Sequence, residues 1–383
     1  MTQPLITPAM ADIRKGLDGV IADETKISKV IADKQYLTYR GYPVPELADR
    51  CDFIEIAHLI LHGELPNAAQ YAEFESAEKS ARALTAQMLS MIALYPRDAH
   101  PMRMMQTAIA FLGQQDADAE DNAATANHRK AIRILAQMPT IVAACMRHVA
   151  GQPPIAPSAQ LGYSENFFQM CFGHVPAPGI VKSFDASMTL YAEHGFNAST
   201  FSARVIVSSL SDMHSALSGA VGSLKGPLHG GANEAVMHML LDVGDPARAK
   251  NWMMDALATK KKIMGFGHRL YKKGDSRVPC MKKYRDMTAA ATGGQKWVAM
   301  SDILEQFMIA EKNIYPNLDF PAGPAYYMMG FPIPFFTPIF VMSRVTGWAA
   351  HVIEQLSSNK LIRPVSHYTG FGERAITPMA QRG

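Results

Sequence analysis

Beyond Cys51, apolar side chains recur at helical spacing through almost the whole chain, and this periodicity constrains the fold more than any other feature. Phe53, Ile56, Ile60 and Leu61 share one helical face, and Met88, Met91, Ile92 and Leu94 cluster in another apolar run. Proline and glycine break the pattern near Leu65-Pro66, Pro96-Arg97, Gln152-Pro153-Pro154 and Val175-Pro176. Helices end at such places because proline lacks an amide hydrogen and crowds the preceding turn. Little of the sequence alternates with the period of two that a strand needs. The exception is residues 16–42, where short β-leaning pieces between turn residues predict irregular structure with one small hairpin. The expected fold class is all-α. No repeat of 20–50 residues is present, which argues against a solenoid, and the 25 methionines suit gap-filling in a helical core.

At 383 residues the chain has room for roughly two domains. With 48% apolar and 19% charged residues it reads as globular rather than disordered. A formal charge of +3 makes no case for nucleic acid, although a local basic patch can still hold an acidic ligand. The acidic stretch over 115–121 reads as solvated surface. Cys51, Cys145, Cys171 and Cys280 are widely spaced and form no metal or redox pattern, so buried free thiols in a reducing compartment are expected. The first residues carry no secretory signature, and no stretch approaches the roughly 18 apolar residues of a membrane span. The cytoplasm is the expected location, with no membrane partner.

One helix can be placed in detail. Thr337 suits the N-cap and Pro338 the first helical position, with apolar periodicity running through Trp348 to about Gln355. Arg344, Trp348 and His351 then share a face. A cation on a largely apolar face needs either a counter-charge or an anionic ligand, and the spacing leaves both open.

Three segments carry the chemistry. His229 sits in Gly226-Pro-Leu-His-Gly-Gly231, just before Asn233-Glu234, which begins an amphipathic helix. With Asn233 near the N-cap, the positive helix end disfavours imidazolium and leaves a neutral donor for a carbonyl. The competing reading is a turn histidine bonded to backbone. His268 follows Gly265-Phe-Gly267 and precedes Arg269, Tyr271, Lys272 and Lys273. Glycines let a ligand approach the backbone and lysines suit phosphates, but GxG alone is too weak for a dinucleotide fingerprint. Asp319 follows Pro316-Asn317-Leu318. Buried, its carboxylate has the raised pKa of a general base; otherwise it is an Asx turn. His58 and His62 are four residues apart on a helix, but no carboxylate completes a metal motif, so no metal site is expected.

Together these segments resemble the citrate synthase family. Gly265-Phe-Gly-His268-Arg-Leu-Tyr-Lys-Lys-Gly-Asp275-Ser-Arg277 is similar to its signature segment. Gly226-Pro-Leu-His229-Gly-Gly-Ala-Asn233-Glu and Asn317-Leu-Asp319 are similar to its other catalytic segments. The likeness extends in order through His194-Gly-Phe-Asn197, Phe340-Val-Met-Ser-Arg344 and Ile362-Arg363-Pro364. Within the family, Tyr191-Ala-Glu-His-Gly-Phe-Asn-Ala-Ser-Thr-Phe201 and Gly323-Pro-Ala-Tyr-Tyr-Met-Met-Gly330 resemble the bacterial 2-methylcitrate synthase group. Gly195 departs from the glutamate that many relatives carry there.

The resemblance implies a dimeric, two-domain helical fold: residues 1–225 plus 326–383 as a large domain, and 226–325 as a small one. It implies an acyltransferase that condenses propionyl-CoA, and acetyl-CoA, with oxaloacetate and then hydrolyses the thioester. Asp319 would be the base, His229 the donor to the thioester oxygen, and His268 the group polarising the ketone. Oxaloacetate would be held by His194, Arg277 and Arg344, with Arg363 reaching the partner's site. CoA would lie along Lys262, Met264, Gly265, Phe266 and Gly267, with Lys272 near its phosphates and Asn317 near its pantetheine arm. No cofactor is implied, since the CoA thioester is itself a substrate. A dedicated citrate synthase using acetyl-CoA is the neighbouring alternative, with Phe320, Tyr326 and Tyr327 as candidate selectors. A non-catalytic CoA- or oxaloacetate-binding helical protein is the alternative of another class, and it would not need all three of His229, His268 and Asp319.

Overall fold

The structure, a computed structural model, describes residues 13–31, 34–271 and 273–383; the candidate Lys272 lies outside them. Among the described residues are sixteen α-helices and one three-stranded sheet. The sheet occupies the region expected to form a hairpin. Strands β1 (Ser28–Ile31), β2 (Tyr36–Tyr39) and β3 (Tyr42–Pro43) pair antiparallel in sequence order, with Ser28 opposite Tyr39 and Tyr39 opposite Tyr42. The Tyr39 hydroxyl reaches the carbonyls of Thr189 (3.0 Å) and Glu193 (2.9 Å), pinning this small sheet to the centre of the molecule.

The first half of the helical array comprises α1 (Val44–Arg50), α2 (Phe53–His62), α3 (Ala68–Ala81), α4 (Ala86–Ala93), α5 (Pro101–Gln115) and α6 (Ala124–Val149). After it come α7 (Tyr163–Phe172), α8 (Pro178–Tyr191), α9 (Ala198–Val207) and α10 (Met213–Leu224). Local chemistry explains the boundaries. Asp52 and Glu55 form a reciprocal capping box at the start of α2, and Gly63 ends it at φ 96°, the left-handed conformation that glycine adopts at least cost. The acidic stretch before α6 is less free than expected. Asp116 and Asp118 pair with Arg133, and Asp118 also with Arg129.

α16 (Phe336–Ser357) packs against α2, α6, α8, α9 and α10. It is buried nearly all round, as a helix with apolar residues on every face must be. It begins at Phe336 rather than after Thr337, and its cap is not the threonine side chain. Thr337 instead donates its amide (3.3 Å) and its hydroxyl to Glu234 Oε1, so the helix end is satisfied by another element.

The helices α11 (Ala232–Val243), α12 (Pro246–Ala258), α13 (Val278–Thr292), α14 (Gln295–Lys312) and α15 (Asp319–Met328) pack mainly on one another. They meet the remaining helices chiefly where α13 touches α8 and α11 touches α16. No described helix is long and apolar enough to cross a membrane. The four cysteines are free, and all but Cys51 are buried. After α16 the chain runs extended to a single 3₁₀ turn at Met379–Gln381.

Candidate active site

Asp319 is the first residue of α15. Its amide donates to Asn317 Oδ1 at 3.2 Å, an Asx-type contact that sets the helix start. The segment before it is zipped to the glycine-rich segment. Gly267 N donates to the Tyr315 carbonyl (2.8 Å), Asn317 N to that of Gly265 (2.9 Å) and Asn317 Nδ2 to that of Gly267 (3.0 Å). Gly265 has φ 84°, and a Cβ there would sit 2.4 Å from Val236 Cγ2 and 3.0 Å from Phe320 Cδ2, so glycine lets this stretch of backbone pack against those side chains. Thus Met264, Gly265, Phe266 and Gly267 lie beside Asn317 and the run into Asp319, while Lys262 is exposed nearby in sequence.

Tyr191, the last residue of α8, donates its hydroxyl to Asp319 Oδ1 at 2.6 Å. Burial pushes the Asp319 carboxyl up to about 6, against the lowering effects of Tyr191 and Arg277. Arg277 is 5% exposed and clamped by Asp275: Nε to Oδ1 at 2.9 Å and Nη2 to Oδ2 at 2.6 Å. Asp275 Oδ2 also accepts the Leu318 amide (3.3 Å), so one carboxylate holds both the arginine and the residue before Asp319. The guanidinium beside it keeps Asp275 well below the usual carboxylate range despite burial.

Arg344 is buried in α16, with Nε donating to the Tyr191 carbonyl at 2.6 Å and its guanidinium 4.6 Å from the Phe340 ring. It forms no ion pair among the described residues. Of the two readings left open by the sequence, the counter-charge has a candidate in Glu193, which acts on Arg344 at longer range. Burial lowers it to about 10. Arg277 Nη1 reaches the Leu190 carbonyl at 3.4 Å. Both arginines thus lie against the carbonyl end of α8, whose dipole favours positive charge.

His194 is buried within reach of both charges, and its ring is 5.1 Å from that of His268. Burial, then Arg277, holds it far below the ordinary histidine range, and its Nε2 has no hydrogen-bond partner among the described residues. The following Gly195 has φ 58°, a left-handed conformation that glycine adopts at least cost. His268 Nδ1 accepts the amides of Leu270 (3.0 Å) and Tyr271 (3.3 Å), so a neutral ring carries its proton on Nε2. His268 also lines a cavity of about 150 Å³ with Gly267, Tyr271, Gly274, Asp275 and Tyr315.

His229 lies ahead of α11, whose N-cap is Gly231 rather than Asn233. Its Nε2 accepts the Ser199 amide (3.2 Å) and lies 2.8 Å from Ser199 Oγ. An amide can only donate, so Nε2 is bare and a neutral ring keeps its hydrogen on Nδ1. Ser199 Oγ in turn accepts Trp348 Nε1–H at 3.0 Å and contacts Asn197 Oδ1 at 2.8 Å. Burial, and then the charge of Arg344, lowers His229 to about 4. Burial, rather than the helix end invoked from the sequence, is the leading cause of that lowering.

Arg363 stands apart. It is exposed in the extended tail and makes no hydrogen bond or ion pair among the described residues. His58 and His62 stack on each other (4.5 Å), and His62 stacks on His128 (5.0 Å); among the described residues no group of His, Cys, Asp or Glu is arranged to hold a metal ion. A larger cavity of about 540 Å³ lies between the ends of α5 and α6 and residues 332–335, and none of the candidate site residues lines it.

A sequence profile described as "Citrate synthase, C-terminal domain" matches residues 16–365. The chain belongs to the citrate synthase family. It is 53% identical to the 2-methylcitrate synthase of Mycobacterium tuberculosis over 98% of this chain and 95% of that one. It is 52% identical to the citrate synthase of Mycolicibacterium smegmatis, covering 95% and 97%. Among solved structures it resembles the citrate synthase of the thermophilic archaeon Thermoplasma acidophilum in ternary complex with carboxymethyl coenzyme A and oxaloacetate. The TM-score is 0.92 at 32% identity, covering 97% of this chain and 100% of that one. For this family member the sequence had pointed to the titratable and cationic residues described above. It had not pointed to Tyr191 or Ser199 as their partners, nor to Asp275 as the clamp on Arg277. A tyrosine, a serine or an acid two residues before an arginine is unremarkable until the fold brings it to its partner.

Proposed function

We propose that this enzyme is an acyltransferase that condenses propionyl-CoA, and also acetyl-CoA, with oxaloacetate and hydrolyses the resulting thioester, releasing CoA and 2-methylcitrate or citrate. One observation carries the reading. A carboxyl raised to about 6 and an imidazole lowered to about 4 both feel the charge of Arg344. Titratable groups driven apart in this way mark a base and a neutral donor in one site. The α-carbon of a thioester is a weak acid, so its proton leaves only if a base takes it while the enolate oxygen is stabilised. Asp319 takes the proton, and His229 Nδ1–H donates to the thioester oxygen. The nucleophilic carbon then attacks the ketone of oxaloacetate, whose oxygen is polarised and finally protonated by His268 Nε2–H. Planar guanidinium groups suit carboxylates. Arg277 and Arg344 hold the dianion with His194, and Arg363 completes the site from the partner of a dimer. CoA runs along residues 262–267, with Asn317 beside its pantetheine arm. No cofactor takes part, and a chelator leaves turnover unchanged.

We take residues 226–325 as the small domain and the remainder as the large one, a division supported by the mutual packing of α11–α15. Propionyl-CoA is placed first because the residue stretches around Tyr191 and Gly323 resemble the 2-methylcitrate synthase group. One methyl group is worth only about 1–3 kcal/mol in a pocket, so both thioesters are substrates. CoA release followed with a thiol reagent tests the reaction, and the ratio of kcat/KM for the two thioesters decides the preference. Asp319→Asn should lower kcat by at least about a thousandfold while oxaloacetate still raises the Tm. Near-normal turnover in that variant overturns the assignment of the base.

A further inference from the structure

The two carboxylate oxygens of Asp319 are not equivalent. Oδ1 accepts the Tyr191 hydroxyl at 2.6 Å, whereas Oδ2 accepts no hydrogen bond among the described residues. Tyr191 is 2% exposed and its ring is wedged 4.2 Å from that of Phe340 and 6.5 Å from that of Tyr326. Its backbone carbonyl meanwhile takes Arg344 Nε. The phenol therefore has little freedom to turn away from the carboxylate. We propose that Tyr191 is a positioning residue for the base: it holds Oδ1, presents Oδ2 to the α-proton, and favours the ionised carboxylate that abstraction requires. This rests on the reading of Asp319 as the base and deepens it.

The surroundings support the assignment. The charged and titratable groups facing the carboxylate are Tyr191 from α8, Asp275 and Arg277 ahead of α13, Arg344 from α16, and Tyr326 on α15 itself. Burial works against ionisation, and the Tyr191 hydrogen bond is the largest contribution opposing it, ahead of Arg277 and Arg344. Burial also holds the Tyr191 phenol far above its ordinary range, so it stays a donor at every pH at which the enzyme works.

Tyr191→Phe keeps the ring and its packing and removes only the donor. Losing a hydrogen bond to the charged form should move the acid limb of kcat up by about one pH unit and lower kcat near pH 6 about fivefold. The KM for oxaloacetate should stay within about twofold, because uniform binding is untouched. The experiment compares kcat against pH for the full-length wild type and variant, with CoA release as the readout and oxaloacetate-dependent Tm as the check on folding. An unmoved acid limb in an active variant overturns the proposal alone. So does a pH-independent loss accompanied by a raised oxaloacetate KM, which would make Tyr191 a packing residue. A wild-type chain that releases no CoA overturns the functional reading and this proposal together.

Discussion

The two imidazoles of the candidate site have their protons assigned by backbone amides. For His268 the donors are Leu270 and Tyr271; for His229 the donor is Ser199. Amides do not exchange roles with pH, so each neutral tautomer is held by the fold rather than by a titrating neighbour. The Ser199 hydroxyl also lies against His229 Nε2 and accepts the buried Trp348 indole N–H. Ser199→Ala should therefore separate two effects. The orphaned indole donor should cost about 1–3 kcal/mol of stability, seen as a lower Tm. The His229 ring should still show a bare Nε2 and a protonated Nδ1 by ¹⁵N NMR near pH 7, because the amide remains. An imidazolium at that pH would contradict the geometry.

Two helices set the site at the scale of elements. The carbonyl end of α8 accepts from both buried arginines and supplies Tyr191, and α16 crosses it closely enough to bring Arg344 there. The close approach depends on Gly347. A Cβ at that position would sit 2.3 Å from Glu193 Oε2 and 2.5 Å from the Ala192 carbonyl. Ordinarily alanine improves a helix interior relative to glycine by up to about 1 kcal/mol. Here the contact is partly with backbone, so the helices must separate, and overpacking of this kind costs about 1–3 kcal/mol. Gly347→Ala should lower the Tm and raise the KM for oxaloacetate together, as Arg344 and His194 move apart. A rise in Tm would mean that the crossing is looser than its geometry implies.

The whole molecule ends in an extended segment after α16 that displays Tyr368 (74% exposed), Phe371 (69%) and Ile376 (88%). Large apolar groups exposed along one segment mark a surface meant to be covered, and Arg363 lies at its beginning. Both features support the proposed dimer, in which each tail serves the other chain's site. Arg363→Leu and Asp319→Asn chains should each be nearly inactive as pure preparations. After joint unfolding and refolding, random pairing in a closed two-fold assembly makes half the molecules mixed, each with one intact site, so about a quarter of wild-type activity should return. No recovery would place Arg363 in its own chain's site.

The all-α class, the helix boundaries near proline and glycine, and the identity of His229, His268, Asp319, Arg277 and Arg344 as the groups worth watching were legible in the sequence. Periodicity and turn chemistry act over a few residues, and the resemblance rests on motifs written in contiguous letters. What the sequence leaves undecided is what each of these groups meets. The start of α16 shows the limit: Thr337 has the right side chain for a cap, yet its partner is Glu234, over a hundred positions away. The same holds at the cleft. The low affinity of His229 for a proton comes first from burial and then from Arg344, and the raised Asp319 comes from burial restrained by Tyr191. Desolvation and Coulomb interactions depend on distance in space, not along the chain. Tertiary structure alone therefore decided which of these groups burial and neighbouring charge act on, and which oxygen of Asp319 takes the Tyr191 hydroxyl.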